Sequence, residues 1–146
     1  MTFDVEQGYI RHPDEIPATV NSCRDTLKPC KELQHSEFMG ISLACDRFHA
    51  TGSALDVVIP INGALFETIG FVSWCNPEQN GRFRVGVQFD DPDIAYSVRM
   101  IEQLCHIEAY RQRIESKEGR LISQESAAAE WIQIFAHDFP VCARTA

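Results

Sequence analysis

The sequence of 146 residues contains no long hydrophobic run. No stretch approaches the about 20 consecutive apolar residues that a membrane-spanning helix requires. The first ten residues also lack the basic start and apolar core of a secretory signal peptide. We therefore expect a cytoplasmic protein without a membrane-inserted segment.

Basic residues are scarce, because 13 Lys and Arg stand against 21 Asp and Glu and the formal net charge is −8. Proteins that bind nucleic acids or anionic membranes chiefly through phosphate groups need a basic face. Between Arg99 and Arg120 the basic residues are mixed with glutamates, which is typical of a solvated helix surface. We expect neither DNA nor RNA as a partner.

Metal-binding and catalytic motifs are also missing. The six cysteines, at positions 23, 30, 45, 75, 105 and 142, form no Cys-x-x-Cys pair and match no zinc-site spacing. We expect six free thiols, no metal and no cofactor. There is no glycine-rich phosphate loop and no Gly-x-Ser-x-Gly motif.

One short stretch imitates an enzyme motif. The order His106-Ile107-Glu108 matches the His-x-Glu of zinc deaminases, but the Pro-Cys-x-x-Cys that should follow it is absent. We therefore expect a non-catalytic protein and name no catalytic residue.

What the sequence does contain is a clear change from strand to helix. Over residues 83–89 every second side chain is apolar, which is the period of a half-buried strand. Asp91 and Pro92 follow, a helix-capping residue and a favoured first helical residue. The pattern is strand-like before this junction and helical after it, which predicts a mainly β fold with C-terminal helices.

Turn residues divide the β part. Asn62-Gly63 is the strongest short hairpin signal, and Asn80-Gly81 indicates a second hairpin loop. Gly70 falls within a strand and predicts a bulge or a sharp bend. These signals predict an antiparallel meander of five or six strands.

The beginning of the chain shows little periodicity. We expect residues 1–7 to form an arm and Arg11–Pro17 to form a linker into the first strand. The length suits one domain over residues 1–146, with the barrel or sandwich at about 9–90.

Two helices are predicted after the sheet, at about residues 92–118 and 123–138. The first would be roughly 40 Å long at ~1.5 Å per residue, so the apolar residues of its second half need a cover. We expect the last helix to fold back over them, and a second subunit is the alternative. The first helix presents Ile94, Val98, Ile101, Leu104 and Cys105, then Ile107, Tyr110 and Ile114; the last presents Ala128, Trp131, Ile132, Ile134, Phe135 and Phe139.

A family resemblance lies in five stretches, namely Arg11–Pro17, Gly40–Cys45, Gly52 before the strand of Leu55, Val72–Trp74 and Val85–Phe89. These stretches, which span roughly residues 9–92, resemble a PilZ domain. The resemblance implies a six-stranded antiparallel PilZ-like β-barrel, which we expect to be followed by two α-helices.

The resemblance also implies a ligand, cyclic di-GMP, which family members bind through Arg-x-x-x-Arg and [Asp/Asn]-x-Ser-x-x-Gly. Arg11 matches the first arginine and Ser42 matches the serine. Glu15 stands in place of the second arginine, while Gly40 and Cys45 replace the other two motif residues. The implied ligand-binding residues are therefore Arg11 and Ser42, and we predict weak or absent binding.

By this resemblance the chain is a non-catalytic signalling or adaptor module of the bacterial cyclic di-GMP system. It would act through protein–protein contacts, with a protein of the type IV pilus or flagellar motility machinery as its partner. The alternative is a functional cyclic di-GMP receptor that binds through Arg11 and Ser42. An enzyme is the third alternative.

Overall fold

The computed structural model describes residues 5–6, 8–23 and 38–140, and it is mainly β with two C-terminal helices. Short 3-10 turns follow the sixth strand and the second helix. The elements in chain order are β1 Val5–Glu6, β2 Tyr9–Arg11, β3 Thr19–Ser22, β4 Gly40–Cys45, β5 Ala54–Ile61, β6 Ala64–Pro77, β7 Phe83–Gln88, α1 Pro92–Glu118 and α2 Gln124–Phe135.

The seven strands form one sheet in the order β1-β2-β4-β7-β6-β5-β3. All pairs are antiparallel except β2 with β4, which run parallel. In the described part of the chain β1 and β3 are the two edges, and no ladder joins them. The predicted six-stranded antiparallel barrel is not matched, because the sheet has one more strand, one parallel pair and no closure.

The difference arises at the start of the chain. The sequence pattern predicts an arm over residues 1–7, yet Val5–Glu6 and Tyr9–Arg11 are strands. After β2 the chain forms β3 at the far edge before it returns as β4, and parallel neighbours need such a long crossover. Strands of two and three residues are too short for a period of two to reveal them.

The two predicted hairpins are confirmed. Asn62 and Gly63 both have positive φ, and Ile61 pairs with Ala64. The predicted irregularity at Gly70 is displaced: Gly70 pairs in register with Leu55, and the shift in register falls between Val72 and Trp74. A Cβ atom at position 70 would lie 2.3 Å from Val87 Cγ1, so close packing explains this glycine.

The boundaries of α1 follow the sequence signals. The Asp91 side chain accepts hydrogen bonds from the amides of Asp93 and Ile94 at 2.8 and 3.3 Å, and Pro92 occupies the first turn. Gly119 ends the helix with a φ of 65°. No helix in the described residues is long and apolar enough to cross a membrane.

The inner face of α1 differs from the predicted stripe at two positions. Leu104 is 41% exposed, whereas Glu102 is fully buried beside Val98 and Cys105. Positions 98, 102, 105 and 109 recur at four, three and four residues, which is a helix face. The core therefore includes a carboxylate that a search for apolar residues overlooks.

The predicted fold-back of the last helix is confirmed. The rings of Tyr110 and Phe135 are 6.0 Å apart, and the Tyr110 hydroxyl donates a hydrogen bond to Glu130 at 2.9 Å. Trp131 is buried, but Ile132 and Ile134 are each about half exposed, so their predicted place in the interface is wrong.

Candidate functional site

The structure brings the two predicted ligand residues together. Arg11 on β2 and Ser42 on β4 are direct partners in the parallel pair. The Arg11 side chain is 34% exposed, whereas Ser42 is buried. The Ser42 carbonyl accepts hydrogen bonds from the His12 amide at 2.9 Å and from Arg84 at 3.3 Å.

Two further arginines, which the sequence analysis missed, lie near Arg11. Arg82 and Arg84 contribute with Arg11 to the lining of a depression of about 470 Å³, which we call the arginine face. Arg84 lies in β7, and Arg82 directly precedes this strand. Because they are two residues apart, their side chains point to the same side of the sheet. The spacing of these two arginines in the sequence could have indicated a shared basic surface, but a motif search centred on Arg11 does not use that spacing.

The arginine face already carries its own counter-charges. Glu78 lies 3.1 Å from Arg84 Nε and 3.7 Å from Arg11 Nη1. Asp14 lies 3.9 Å from Arg11, and an exposed carboxylate, Asp46, lies 3.0 Å from Arg82. Because the Arg84 side chain is only 9% exposed, its pairing with Glu78 compensates a buried charge.

Glu15, at the position of the second motif arginine, pairs with a residue of α1. Arg113 donates two hydrogen bonds to its carboxylate, one of them at 2.9 Å to Oε1. The hydrogen bonds from Arg113 lower the pKa of Glu15 below its ordinary value. The residue thus ties the segment after β2 to the helix.

Gly40, at the first position of the second motif, has no room for a side chain. A Cβ atom there would lie 2.0 Å from the carbonyl oxygen of Val87 and 3.0 Å from the Tyr9 ring. An aspartate or asparagine at this position would therefore clash with backbone. Cys45, at the last motif position, is buried, and burial raises the pKa of its thiol.

Aromatic rings cover the strand surface next to the arginine face. Tyr9 and Trp74 pack edge to face with centroids 5.4 Å apart. Trp74 lies so close to Gly86 that a Cβ atom there would be 2.2 Å from its ring. Gln88 donates a hydrogen bond to the Tyr9 hydroxyl at 2.9 Å, which orients this ring.

His12, which directly follows Arg11 at the end of β2, faces α1 on the opposite side from the arginine face. His12 Nδ1 lies 2.7 Å from Glu102 Oε2, and His12 Nε2 lies 2.8 Å from the Ile16 carbonyl oxygen. Burial by itself would lower the pKa of His12, but the charge and hydrogen bond of Glu102 outweigh it, so the pKa is raised. This buried pair fastens the end of β2 to the middle of α1.

Cys105 completes the buried cluster. Its sulfur, the His12 nitrogen and the Glu102 carboxylate lie within 4.8 Å of one another, and all three residues are buried. These are the residues of the described chain that could hold a metal ion. The sequence analysis missed this set, because 90 positions separate His12 from Glu102.

The deaminase-like stretch does not form a site. His106 Nε2 lies 3.0 Å from the Arg11 carbonyl oxygen, and burial lowers the pKa of His106. Glu108 accepts hydrogen bonds from Arg111 and Gln112 instead. Among the described cysteines, 23, 45, 75 and 105 are free thiols, and positions 30 and 142 lie outside the described residues.

A second depression lies on the β3 side of the sheet. It has a volume of about 550 Å³ and lies between β3 and the end of β4, with Thr19, Asp46 and His49 in its lining. Burial, with the nearby charge of Arg47, lowers the pKa of His49. Cys45, at the last position of the second motif, also lines it, whereas Arg11 and Ser42 do not.

No family model, no curated protein and no solved structure matches this chain.

Proposed function

We propose that the chain is a PilZ-like, non-catalytic adaptor module of the cytoplasm in which the arginine face is closed by internal ion pairs. The resemblance of residues 9–92 and the order of hairpins followed by α1 support this proposal. In that interpretation the seven-stranded sheet is a variant of the family's six-stranded antiparallel barrel. The single observation that carries the proposal is Glu78 lying between Arg11 and Arg84.

Internal pairing weakens the binding of a phosphate ligand. A partly exposed ion pair contributes about 0.2–1 kcal/mol, and Arg11 would have to give up its pairs with Asp14 and Glu78, at 3.9 and 3.7 Å, to contact the ligand. A carboxylate ~4 Å from a phosphate adds a repulsion of about 1–4 kcal/mol near a protein surface. Cyclic di-GMP should therefore bind weakly or not at all.

The helices and the connection between them, which contains Leu121, supply the surface that an adaptor needs. Leu121 is 87% exposed, and Ile132 and Ile134 are about half exposed. A contiguous exposed apolar patch marks a protein interaction site, and we propose that these three residues belong to one. The proposed partner is a protein of a pilus or flagellar motility system, as the resemblance implies.

Calorimetric titration with cyclic di-GMP tests the proposal. The wild type should give no measurable binding at micromolar ligand, and Glu78→Gln should gain affinity because it releases two arginines from one carboxylate. The matched control is Glu130→Gln, which removes one negative charge from the helix pair, away from the arginine face, and should leave binding unchanged.

Micromolar binding by the wild type would overturn the proposal. If Arg11→Ala then abolished that binding, the alternative of a functional receptor using Arg11 and Ser42 would stand in its place. The placement of these two residues as direct partners across β2 and β4 is the observation that favours this alternative.

A further inference from the structure

We propose that His12, Glu102 and Cys105 form a site for one divalent transition-metal ion, with zinc as the best match. The site is independent of the arginine face, so the titration with cyclic di-GMP and the test below can fail separately. It would join the end of β2 to α1. This proposal replaces the sequence-based expectation that no metal is bound.

Local structure brings the three donors together. Glu102 and Cys105 are three residues apart on α1 and therefore share a helix face. His12 directly follows β2, and the Ile16 carbonyl oxygen accepts a hydrogen bond from its Nε2 at 2.8 Å. A backbone carbonyl on the second ring nitrogen is the usual support of a metal-binding histidine, because it fixes the tautomer and leaves the other nitrogen as the ligand.

The cluster without an ion has unsatisfied polar atoms. The hydrogen that His12 Nε2 donates to Ile16 leaves His12 Nδ1 facing Glu102 Oε2 at 2.7 Å, and this contact needs either a proton or a metal ion between the two atoms. The other oxygen of Glu102 has no hydrogen-bond partner among the described residues, although the residue is fully buried. A proton on His12 would satisfy the first contact and leave that oxygen orphaned, whereas a metal ion can engage both oxygens.

The chemistry of the donors suits zinc. Imidazole nitrogen, carboxylate oxygen and cysteine sulfur are its three common protein ligands. Cysteine binds zinc as its thiolate, so the thiol must lose its proton when the ion binds. Binding would release the thiol proton and the proton shared by His12 and Glu102, so two protons leave as one divalent ion enters and the net charge is unchanged.

The distances are compatible with a small adjustment. Ligand atoms around a tetrahedral zinc lie about 3.3–3.6 Å apart, given metal–ligand distances of about 2.0–2.3 Å. The 2.7 Å between His12 and Glu102 is shorter than these values, and all ligand atoms of the cluster lie within 4.8 Å of one another. Three protein ligands leave a fourth position for a small donor such as water.

The test uses the full chain produced in medium that contains zinc or cobalt and purified without chelator. We expect one metal ion per chain by elemental analysis, and a sulfur-to-cobalt charge-transfer band in the cobalt form. Cys105→Ser should lose the band and lower the metal affinity by more than the about 10–100-fold that removal of a second-shell partner costs. The matched control is Cys75→Ser, a half-buried cysteine outside the cluster, which should keep both.

A metal-free wild type under these conditions would overturn the proposal, and so would a charge-transfer band that persists in Cys105→Ser. X-ray absorption at the zinc edge of the wild type decides the case if the serine variant does not fold. One sulfur neighbour with nitrogen and oxygen neighbours supports the site. No sulfur, or two or more sulfurs, contradicts it.

Discussion

The two sides of the chain at the end of β2, around Arg11 and His12, use charge in different ways. On the arginine face, Arg11 remains one-third exposed and its carboxylate partners are 3.7 and 3.9 Å away. On the helix side, the next residue, His12, is buried and lies 2.7 Å from a fully buried glutamate. Water screens the pairs of Arg11 but not the contact between His12 and Glu102. The buried contact should therefore contribute more to stability, and the pairs of Arg11 should govern ligand binding.

Removal of the inner carboxylate should have the largest effect. Glu102→Ala leaves His12 buried without its partner, and breaking a buried pair in this way costs about 3–5 kcal/mol. Urea denaturation of the variant measures the loss in the free energy of unfolding. Glu108→Ala on the same helix is the control, since that residue is partly exposed; an equal loss in both variants would contradict the comparison.

The next largest effect concerns the strand beneath the arginine face. Gly40→Ala places a Cβ atom 2.0 Å from the Val87 carbonyl oxygen, and overpacking of this kind costs about 1–3 kcal/mol or more. The thermal midpoint should fall, and Ala44→Ser, a small change on the same strand, should leave it nearly unchanged. A stable Gly40→Ala variant would show that β4 and β7 can separate at this point.

Glu78→Gln should have a smaller effect on stability. Arg84 is buried, but the Glu78 side chain is 31% exposed and a glutamine can still accept the hydrogen bond from Arg84, so the loss should be about 1 kcal/mol. Chemical denaturation measures this loss. A loss as large as that of Glu102→Ala would mean that the outer pair is not screened, and the contrast between the two sides would fail.

Glu15→Gln should have the smallest effect, about 0.2–1 kcal/mol, because both partners of the Glu15–Arg113 pair are partly exposed. The folded-state pKa of Glu15 is lowered from 4.5, so the contribution is present above pH 4.5 and is lost as the pH falls through the folded-state pKa. Stability curves of wild type and variant should therefore converge in acid. A difference that persists at low pH would exclude this ion pair as its source.

Local signals were sufficient for several elements. Asp91, Pro92 and Gly119 set the ends of α1, and Asn62-Gly63 sets the turn between β5 and β6, because caps and turns depend on neighbouring residues alone. Position 102 shows the limit of that reasoning. The helical period places it on the inner face, but a glutamate is normally solvated, and only a partner distant in sequence explains its burial.

The candidate site likewise has residues that the sequence predicts and residues that only the structure reveals. A motif comparison reaches Arg11 and Ser42, and the structure makes them direct partners. It does not reach Arg82, Arg84 or Glu78, because their nearness to Arg11 depends on how β7 and the end of β6 lie beside β4.

The sequence by itself determined the elements whose causes are local: the strand-to-helix change at Asp91-Pro92, the hairpins and the helix ends. Tertiary structure decided the parallel pairing of β2 with β4 and the ion pair of Glu15 with Arg113. It also decided the contact of His12 with Glu102 and Cys105. Strand order and buried polar contacts join residues tens of positions apart. Their free energies depend on burial and distance, which no local pattern in the chain encodes.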